Sequence, residues 1–359
     1  MATIIRYVNT ASSGGDGTTN ATSGGTAAYA SLSAAEAALR QDLTGVTCDV
    51  ADEQGNNYIA LDILCSGTAA DTTAVDFNSA SWVTDATHRL RVRLNGTGAG
   101  AKWDSGLYRL VGSPGYGVPM IYVTSGICLT LQDLQVESQS TLDNAPHAFR
   151  ANDFGYNVHI VGGFYRTTST TGTPDDPMTF VVRPNTGTAK LYMSNVTIVA
   201  ATGPAFDILS TTSATFEVYA YNCTMVCRAG TGNVFGFTLN ASPTSRFKNL
   251  LLQSAAGSNY SVGNAAPTET ATILTRDATS PTVGLRSKTL TFVDATNWDY
   301  HLTSSDTDAI GAGTDLSADT YYAFSTDGDG TTRSGTWDVG ADEYQSGLTP
   351  STCRIVSVL

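Results

Sequence analysis

One pattern repeats in the middle of the chain, where alternating apolar residues are followed by an asparagine and then by another apolar residue, in Leu191-Tyr-Met-Ser-Asn-Val196, Val218-Tyr-Ala-Tyr-Asn-Cys223 and Arg246-Phe-Lys-Asn-Leu250. The asparagines Asn195, Asn222 and Asn249 are 27 residues apart. Asparagine tolerates the left-handed backbone conformation, and its amide can hydrogen-bond along a stack. Short strands at such a period predict a solenoid, in which each coil stacks on the previous one.

Two weaker copies of the pattern precede these three. They carry Asp133 and Gly163 at the position of the asparagine, which we call the anchor position. A second apolar patch lies 14 or 16 residues before each later anchor, centred on Phe149, Val181, Phe206 and Phe235. Two features that keep their spacing over four repeats predict coils of two or three strands, stacked in parallel at about 4.8 Å. The alternative is a β-sandwich, which needs strands about every 8 to 12 residues joined by hairpin turns. Few Asn-Gly or Asp-Gly turns are present, so the solenoid is favoured.

The composition agrees with an all-β chain and excludes several classes of function. The 359 residues include 53 Thr and 35 Gly, which favour strands and tight turns, and 41% are hydrophobic. A net charge of −13 argues against binding to nucleic acid or to an anionic membrane surface. No apolar run approaches the ~20 residues of a membrane helix. The start lacks the zones of a signal peptide, so we expect use without Sec export, or removal of a leader.

Both ends of a solenoid would promote aggregation if left open, so we expect both to be capped. The Ala-rich segment 31–40 is the most convincing helix, with Ser33 as its N-cap and Glu36 completing a capping box. After Phe292 the repeat stops, and Asp and Tyr become more frequent. The predicted organisation is an N-terminal cap with a short helix, a parallel β-helix, an irregular C-terminal cap and an apolar tail, at residues 1–45, 46–290, 291–345 and 346–359.

The two ends of the sequence resemble a known group of proteins. Tyr7-Val-Asn9, Gly14-Gly-Asp-Gly17 and Tyr29-Ala-Ser-Leu32 resemble the N-terminal cap of right-handed parallel β-helix proteins. The closing segment of the same group is similar to Phe292-Val-Asp294, Asp299-Tyr-His-Leu302, Ala309-Ile-Gly-Ala-Gly313, Asp327-Gly-Asp-Gly330, Arg333 and Asp338-Val-Gly-Ala-Asp-Glu-Tyr344. The group is pectate-lyase-like and includes polysaccharide-cleaving enzymes and phage tail proteins. The resemblance implies a right-handed parallel β-helix, but its caps are shared by lyases, hydrolases, adhesins and virion proteins.

No compact lyase or hydrolase motif is present in the sequence. Sugar-cleaving β-helices use paired carboxylates, or a base with a cation, on one outer face of adjacent coils. Asp175-Asp176 lies between two prolines, which indicates a solvated loop, while Asp207 and Glu217 lie in strand-like runs. Asp327-Gly-Asp-Gly330 is similar to part of a calcium loop but lacks the closing Glu. We therefore predict no catalytic residue, no metal and no cofactor.

The 16 tyrosines provide a different signal. Tyr192 and Tyr221 take near-equivalent positions in two repeats, so we expect them to flank an outer face. Exposed aromatic rings bind sugars by stacking, while Asp, Asn and Arg supply hydrogen bonds. The alternative is that the rings only brace the coils or form protein interfaces. The predicted ligand-binding residues are Tyr165, Arg166, Tyr192, Asp207, Glu217 and Tyr221.

The tail 346–359 ends in an apolar, β-prone segment that would be adhesive if exposed. We predict that it adds a strand to a neighbour or packs beneath a partner chain, and the alternative is packing on its own solenoid. The predicted interface residues are Ile355, Val356, Val358 and Leu359.

These observations favour a non-enzymatic structural or surface-recognition protein. The missing export signal, the Thr-, Gly- and Asn-rich solenoid, the poverty of catalytic clusters and the apolar C-terminus favour a bacteriophage virion protein, such as a tail fibre, a spike or a capsid decoration, made in the host cytoplasm. Its expected partners are other virion proteins and host-surface polysaccharide, and the resemblance implies a homo-oligomer, with a trimer as the expected form. The alternatives are a polysaccharide lyase or glycoside hydrolase of the pectate-lyase-like group, and a secreted, extracellular adhesin.

Overall fold

Strands dominate the chain and stack in parallel as a β-solenoid of about six turns. The computed structural model describes residues 3–46, 48, 58–78, 82–98, 100–115, 117–124, 126–139, 147–154, 157–168, 178–186, 188–210, 215–230, 233–239, 244–263 and 266–345. The predicted all-β parallel solenoid is confirmed, while its right-handed winding stays a prediction. Within these ranges, no helix combines the length and apolarity that a membrane crossing requires.

The strands follow one another in short steps along the chain. They are β1 (Ile4–Asn9), β2 (Ile59–Ser66), β3 (Ala70–Asp71), β4 (Val75–Phe77), β5 (Arg89–Leu94), β6 (Arg109–Gly112), β7 (Ile121–Val123), β8 (Cys128–Gln132), β9 (Gln135–Ser138), β10 (Phe149–Phe154), β11 (Asn157–Val161), β12 (Phe164–Thr167), β13 (Phe180–Thr186), β14 (Thr188–Ser194), β15 (Thr197–Ala200), β16 (Phe206–Ser210), β17 (Thr215–Tyr221), β18 (Thr224–Cys227), β19 (Phe235–Leu239), β20 (Thr244–Ser254), β21 (Tyr260–Gly263), β22 (Glu269–Thr275), β23 (Phe292–Asp294) and β24 (Asp299–Leu302). The helix α1 spans Leu32–Leu39, and 3-10 turns span Val283–Leu285 and Ala295–Asn297.

Three stacks of strands form the walls of the solenoid. The first stack contains β1, β2, β5, β8, β11, β14, β17 and the first half of β20, and the second contains β3, β6, β9, β12, β15, β18 and the second half of β20. The third stack contains β4, β7, β10, β13, β16, β19 and β21. Strand β22 pairs with both halves of β20. Apolar side chains of all three walls meet inside, where most of them are fully buried.

The corner between the first and second stacks is a column of residues with positive φ. It consists of Asp133 (55°), Gly162 (63°), Asn195 (58°), Asn222 (50°), Asn249 (54°) and Thr272 (58°). The predicted corner role of the three asparagines is confirmed. The predicted anchor Gly163 is wrong by one position, because Val161 pairs with Gln132 and with Ser194, which places Gly162 at the corner.

A column of aromatic side chains inside the third wall shows that a second predicted repeat position was wrong. Phe149, Phe180, Phe206 and Phe235 pair in register and are followed by Tyr260, with ring centroids 4.3 to 5.5 Å apart. Val181 was predicted in this column. Because successive strand residues point to opposite faces, Val181 points outward and Phe180 occupies the column.

The helix α1 covers the first coils, and its N-terminus is capped by Ser31 rather than by Ser33. The Ser31 hydroxyl accepts from the Ala34 amide at 3.1 Å. The buried carboxylate of Asp71 accepts from the Leu32 amide at 2.6 Å. Glu36 does not form a capping box, because its carboxylate accepts instead from Trp82 Nε1 at 2.9 Å and from Arg40.

At the other end, residues 280–288 cover the edge of β22. The Ile273 amide donates to Thr282 Oγ1, and the Lys288 amide donates to the Thr275 carbonyl. The following segment, residues 291–345, lies along the outside of the corner column. We call it the C-terminal segment. The domain boundaries stay predictions, and the tail 346–359 with its predicted interface lies outside the described residues.

The C-terminal segment is held on the corner by the corner side chains themselves. The side-chain amide of Asn249 forms two hydrogen bonds with the backbone of Thr314. Its Nδ2 donates to the Thr314 carbonyl, and its Oδ1 accepts from the Thr314 amide, each at 2.8 Å. Asn195 Nδ2 donates to the Thr326 carbonyl at 2.8 Å. Arg333, whose side chain is fully buried, donates to Asn195 Oδ1 and to Glu343. The corner therefore serves both the coil and the docking of the segment.

Two substitutions at Asn249 separate its two roles. Asn249→Gly should lower the free energy of unfolding by about 1–3 kcal/mol, because the buried bonds to Thr314 are lost. Asn249→Ala should cost roughly 1–2 kcal/mol more, because alanine is strained at a φ of 54°. Urea unfolding of both variants measures the difference. Equal stabilities of the two variants would show that the corner imposes no backbone strain.

Candidate functional site

The outer face of the first stack carries a column of aromatic and basic side chains. The pairing places His159, Tyr192, Tyr219 and Arg246 on successive rungs. The rings of Tyr192 and Tyr219 are stacked, with centroids 4.7 Å apart and planes 2° from parallel. The neighbour of Tyr192 is thus Tyr219, whereas Tyr221 pairs with Ser194. The predicted equivalence of Tyr192 and Tyr221 was wrong.

The C-terminal segment adds two rings to this column. Tyr322 is buried and packs between Tyr192 and Tyr221, with centroids 5.5 and 6.1 Å away. Tyr321 remains 49% exposed, and its ring lies 3.6 Å from the Arg246 guanidinium carbon. The ring of Tyr219 lies 6.2 Å from that of Tyr321. We call Tyr192, Tyr219 and Tyr321 the tyrosine strip.

Ion pairs flank the tyrosine strip. Lys190 Nζ lies 3.0 Å from Glu217 Oε1, and both side chains are partly exposed. Arg246 and Lys248 both pair with Glu269, at 3.3 and 2.8 Å. An aromatic surface bordered by charged donors and acceptors has the chemistry that recognises sugar rings and their hydroxyl groups.

The structure distributes the six predicted ligand-binding residues over several faces. Tyr192, Glu217 and Tyr221 share the outer face of the first stack, but Tyr221 is fully buried beneath the C-terminal segment. Tyr165 lies in the solenoid interior, fully buried. Asp207 lies on the outer face of the third stack, in β16.

Arg166 lies on the outer face of the second stack and is covered as well. Its guanidinium carbon lies 3.8 Å from the Trp103 ring and 4.4 Å from the Trp298 ring. It also pairs with the buried carboxylate of Glu137. This arrangement joins the solenoid to the C-terminal segment, so the side chain of Arg166 is engaged within the protein.

A second candidate site is a pocket that lies where the C-terminal segment crosses the corner at Asp133. We call it the acidic pocket. The cavity has a volume of about 220 Å³ and is lined by Thr97, Gly98, Gln132, Asp133, Val161, Gly162, Asn195 and residues 326–330. Burial raises the pKa of Asp133 to about 7 and that of Asp327 also to about 7. A Cβ atom at Gly162 would lie 2.2 Å from Asp133 Oδ1, which explains the glycine at this rung.

Beside the acidic pocket, His301, Asp329 and Asp342 offer atoms within 4.8 Å of one another, as a metal site would. Both nitrogens of His301 are already engaged, Nδ1 with Asp299 at 2.5 Å and Nε2 with Asp329 at 2.8 Å. Burial opposes the charge on His301, but the hydrogen bonds to the two carboxylates outweigh it and raise its pKa to about 11. An imidazolium has no free lone pair for a metal, so this geometry is that of an ion-pair network.

The comparisons with known proteins add no family to this picture. No protein-family model matches the chain, and no curated protein matches it at a significant level. Membership of the pectate-lyase-like group or of phage tail proteins therefore stays a proposal.

The ion-pair network predicts the charge state of His301. The raised pKa means that its contribution to stability is complete below pH 6.5 and is lost only as the pH rises through about 11. We expect the ring signals of His301 in nuclear magnetic resonance spectra to keep their imidazolium shifts from pH 5 to pH 9. Titration of this ring below pH 8 would contradict the network.

Proposed function

We propose that the chain is a non-enzymatic structural protein of a bacteriophage virion, as a tail fibre, a spike or a capsid decoration, which recognises a host-surface polysaccharide. The observation that supports recognition is the tyrosine strip. Tyr321 exposes half of its surface and Tyr192 is partly exposed, while the Tyr219 ring between them is 5% exposed. Aromatic rings of this kind stack on the apolar faces of sugars, and the nearby Lys190 and Glu217 supply hydrogen bonds.

The charges around the tyrosine strip support binding rather than cleavage. A glycosidase needs two carboxyl groups on opposite sides of the scissile bond, one of them a proton donor. Each carboxylate beside the strip in the described chain faces a cation instead: Glu217 faces Lys190, Glu269 faces Arg246, and Asp319 faces Lys248 at 2.7 Å. Burial opposes the charge on Asp319, but its hydrogen bonds with Lys248 and with the Tyr321 and Tyr322 amides outweigh it and lower its pKa, which makes this carboxylate a poor proton donor.

The architecture supports a structural role in an assembly. Parallel rungs make a rod, and the C-terminal segment covers the outer faces of the first and second stacks. The third stack presents polar side chains outward, among them Asp76, Tyr122 and Arg150. We include in the proposal that this face packs against further copies in a homo-oligomer, as a trimer, or against other virion proteins.

A second candidate, a polysaccharide lyase or glycoside hydrolase, is favoured by one observation. The acidic pocket contains carboxyl groups whose pKa values lie near 7, which suits a proton donor. Against it, the pocket's 220 Å³ is smaller than the roughly 300–1,000 Å³ of most ligand sites. The structural proposal therefore ranks first.

The recognition proposal predicts binding without cleavage. Binding is to be measured on a panel of acidic and neutral polysaccharides, including polygalacturonate and dextran, together with the release of reducing or unsaturated ends. We expect at least one polysaccharide to bind and none to be shortened. Tyr321→Ala should weaken binding about tenfold, since one stacked ring contributes on the order of 1–2 kcal/mol.

Tyr7→Ala is the matched control, because it removes a half-buried tyrosine from β1, five rungs away from Tyr192 in the same stack. It should bind as the unchanged protein does. Equal losses in both variants would argue against the tyrosine strip, and depolymerisation would favour the enzyme. Mass spectrometry of purified phage particles tests the virion assignment separately, since a protein absent from particles is not a virion component.

A further inference from the structure

The acidic pocket is an interface between two parts of the chain that are almost 200 residues apart. One side is the corner at Asp133 and Gly162, and the other is the loop 327–330 of the C-terminal segment. The Gly328 amide donates to the Ala341 carbonyl at 2.9 Å, so the loop is tied to the rest of the segment. A Cβ atom at Gly328 would lie 3.3 Å from the Asn195 carbonyl oxygen, so the loop is close against the corner.

Acidic groups outnumber basic groups at this interface. Asp133 faces Asp329 from the loop and Arg93 from β5. Asp327 faces Asp329, Arg333 and Asp342, all within the C-terminal segment. The charged and titratable groups around the pocket are, on the acidic side, Asp133, Asp299, Asp327, Asp329, Asp338, Asp342 and Glu343, and on the basic side Arg93, Lys102, His301 and Arg333. Full ionisation of these seven acids leaves an excess of negative charge around a partly open pocket.

We propose that this interface is a pH-sensitive clasp, in which protonation of the buried carboxyl groups of Asp133 and Asp327 allows the loop 327–330 to pack against the corner, and ionisation of both groups loosens the C-terminal segment in alkaline solution. The basis is geometric: three carboxylates from two separate parts of the chain line one partly open pocket. Their mutual repulsion is relieved either by protonation or by separation of the two parts, and separation means undocking.

The direction of the pH dependence follows from the groups concerned. Burial raises the pKa of Asp133 and Asp327 to about 7 and that of Asp342 to about 6. A docked state with raised carboxyl pKa values binds protons more tightly than the undocked state. Docking is therefore strongest below the ordinary carboxyl pKa of about 4 and weakens as the pH rises through 6 to 7. His301 does not titrate in this range, since its pKa is about 11.

Hydrogen exchange followed by mass spectrometry tests the clasp in the full-length chain. Exchange is measured at pH 5.5, 7.0 and 8.5 and corrected for the intrinsic effect of pH. We expect protection of peptides covering residues 325–333 to fall at least about tenfold between pH 5.5 and 8.5, since a pKa difference of one unit corresponds to a tenfold change. Protection of residues 206–210, in β16 of the third stack, should stay constant, because the C-terminal segment does not cover that stack.

Asp133→Asn is the decisive variant, because it removes one charge from the pocket while keeping a residue type that three other rungs carry at the same positive φ. Its pH dependence should be clearly smaller than that of the unchanged protein. The control is Asp315→Asn, which alters an exposed acid of the same segment away from the pocket and should leave the pH dependence unchanged. Constant protection of 325–333 from pH 5.5 to 8.5 would overturn the proposal, as would an Asp133→Asn variant with the original pH dependence.

Discussion

The structure depends on one backbone constraint, which is that each coil from β8 to β22 turns from the first wall to the second through the left-handed region. That conformation costs an ordinary L-residue roughly 1–2 kcal/mol, which glycine avoids and asparagine and aspartate partly offset. The corner column obeys this rule at every rung except Thr272. The choice of asparagine over glycine has a second effect, because it leaves a row of amide groups on the outside of the corner. Those amides are the groups to which Thr314, Thr326 and Arg333 bond, so the residue that permits the coil also anchors the C-terminal segment.

Sequence reasoning could find the solenoid because Asn195, Asn222 and Asn249 stand at three successive corners, 27 residues apart. It placed the corner of an earlier coil at Gly163, because two adjacent glycines satisfy the pattern equally and only the strand pairing selects Gly162. The candidate site could be predicted from the sequence only in part. Tyr192 and Tyr219 each precede a corner asparagine by three positions, so their stacking was available from the sequence once Asn195 and Asn222 were aligned. The position of Tyr321 was not available, since it depends on a segment that returns along the rod after the repeat has ended.

The return of that segment is specified by charge as well as by apolar contact. Apolar surface alone would allow the segment to slide along the outer rows of the solenoid, where Val199, Val226 and Leu251 repeat at similar spacing. Arg333 prevents such sliding. Its side chain is fully buried and donates to Asn195 Oδ1 on the corner at 3.3 Å, while its bonds to Gly340, Ala341 and Glu343 stay within the segment. A shifted segment would lose the bond to Asn195, and a buried group that loses a hydrogen-bond partner costs about 1–3 kcal/mol.

The tyrosine strip and the acidic pocket are two consequences of the same docking. The strip is completed by Tyr321, which lies six residues before Asp327 in the C-terminal segment. Undocking would therefore take Tyr321 from Arg246 and uncover Tyr221, while Tyr192 and Tyr219 stay in the strands of the solenoid. Under the proposed function, the contribution of Tyr321 to binding depends on docking and is therefore coupled to the acidic pocket, because both sites share one free energy of docking. The coupling requires no chain of residue contacts through the solenoid wall, since the docked segment itself connects the acidic pocket to the tyrosine strip.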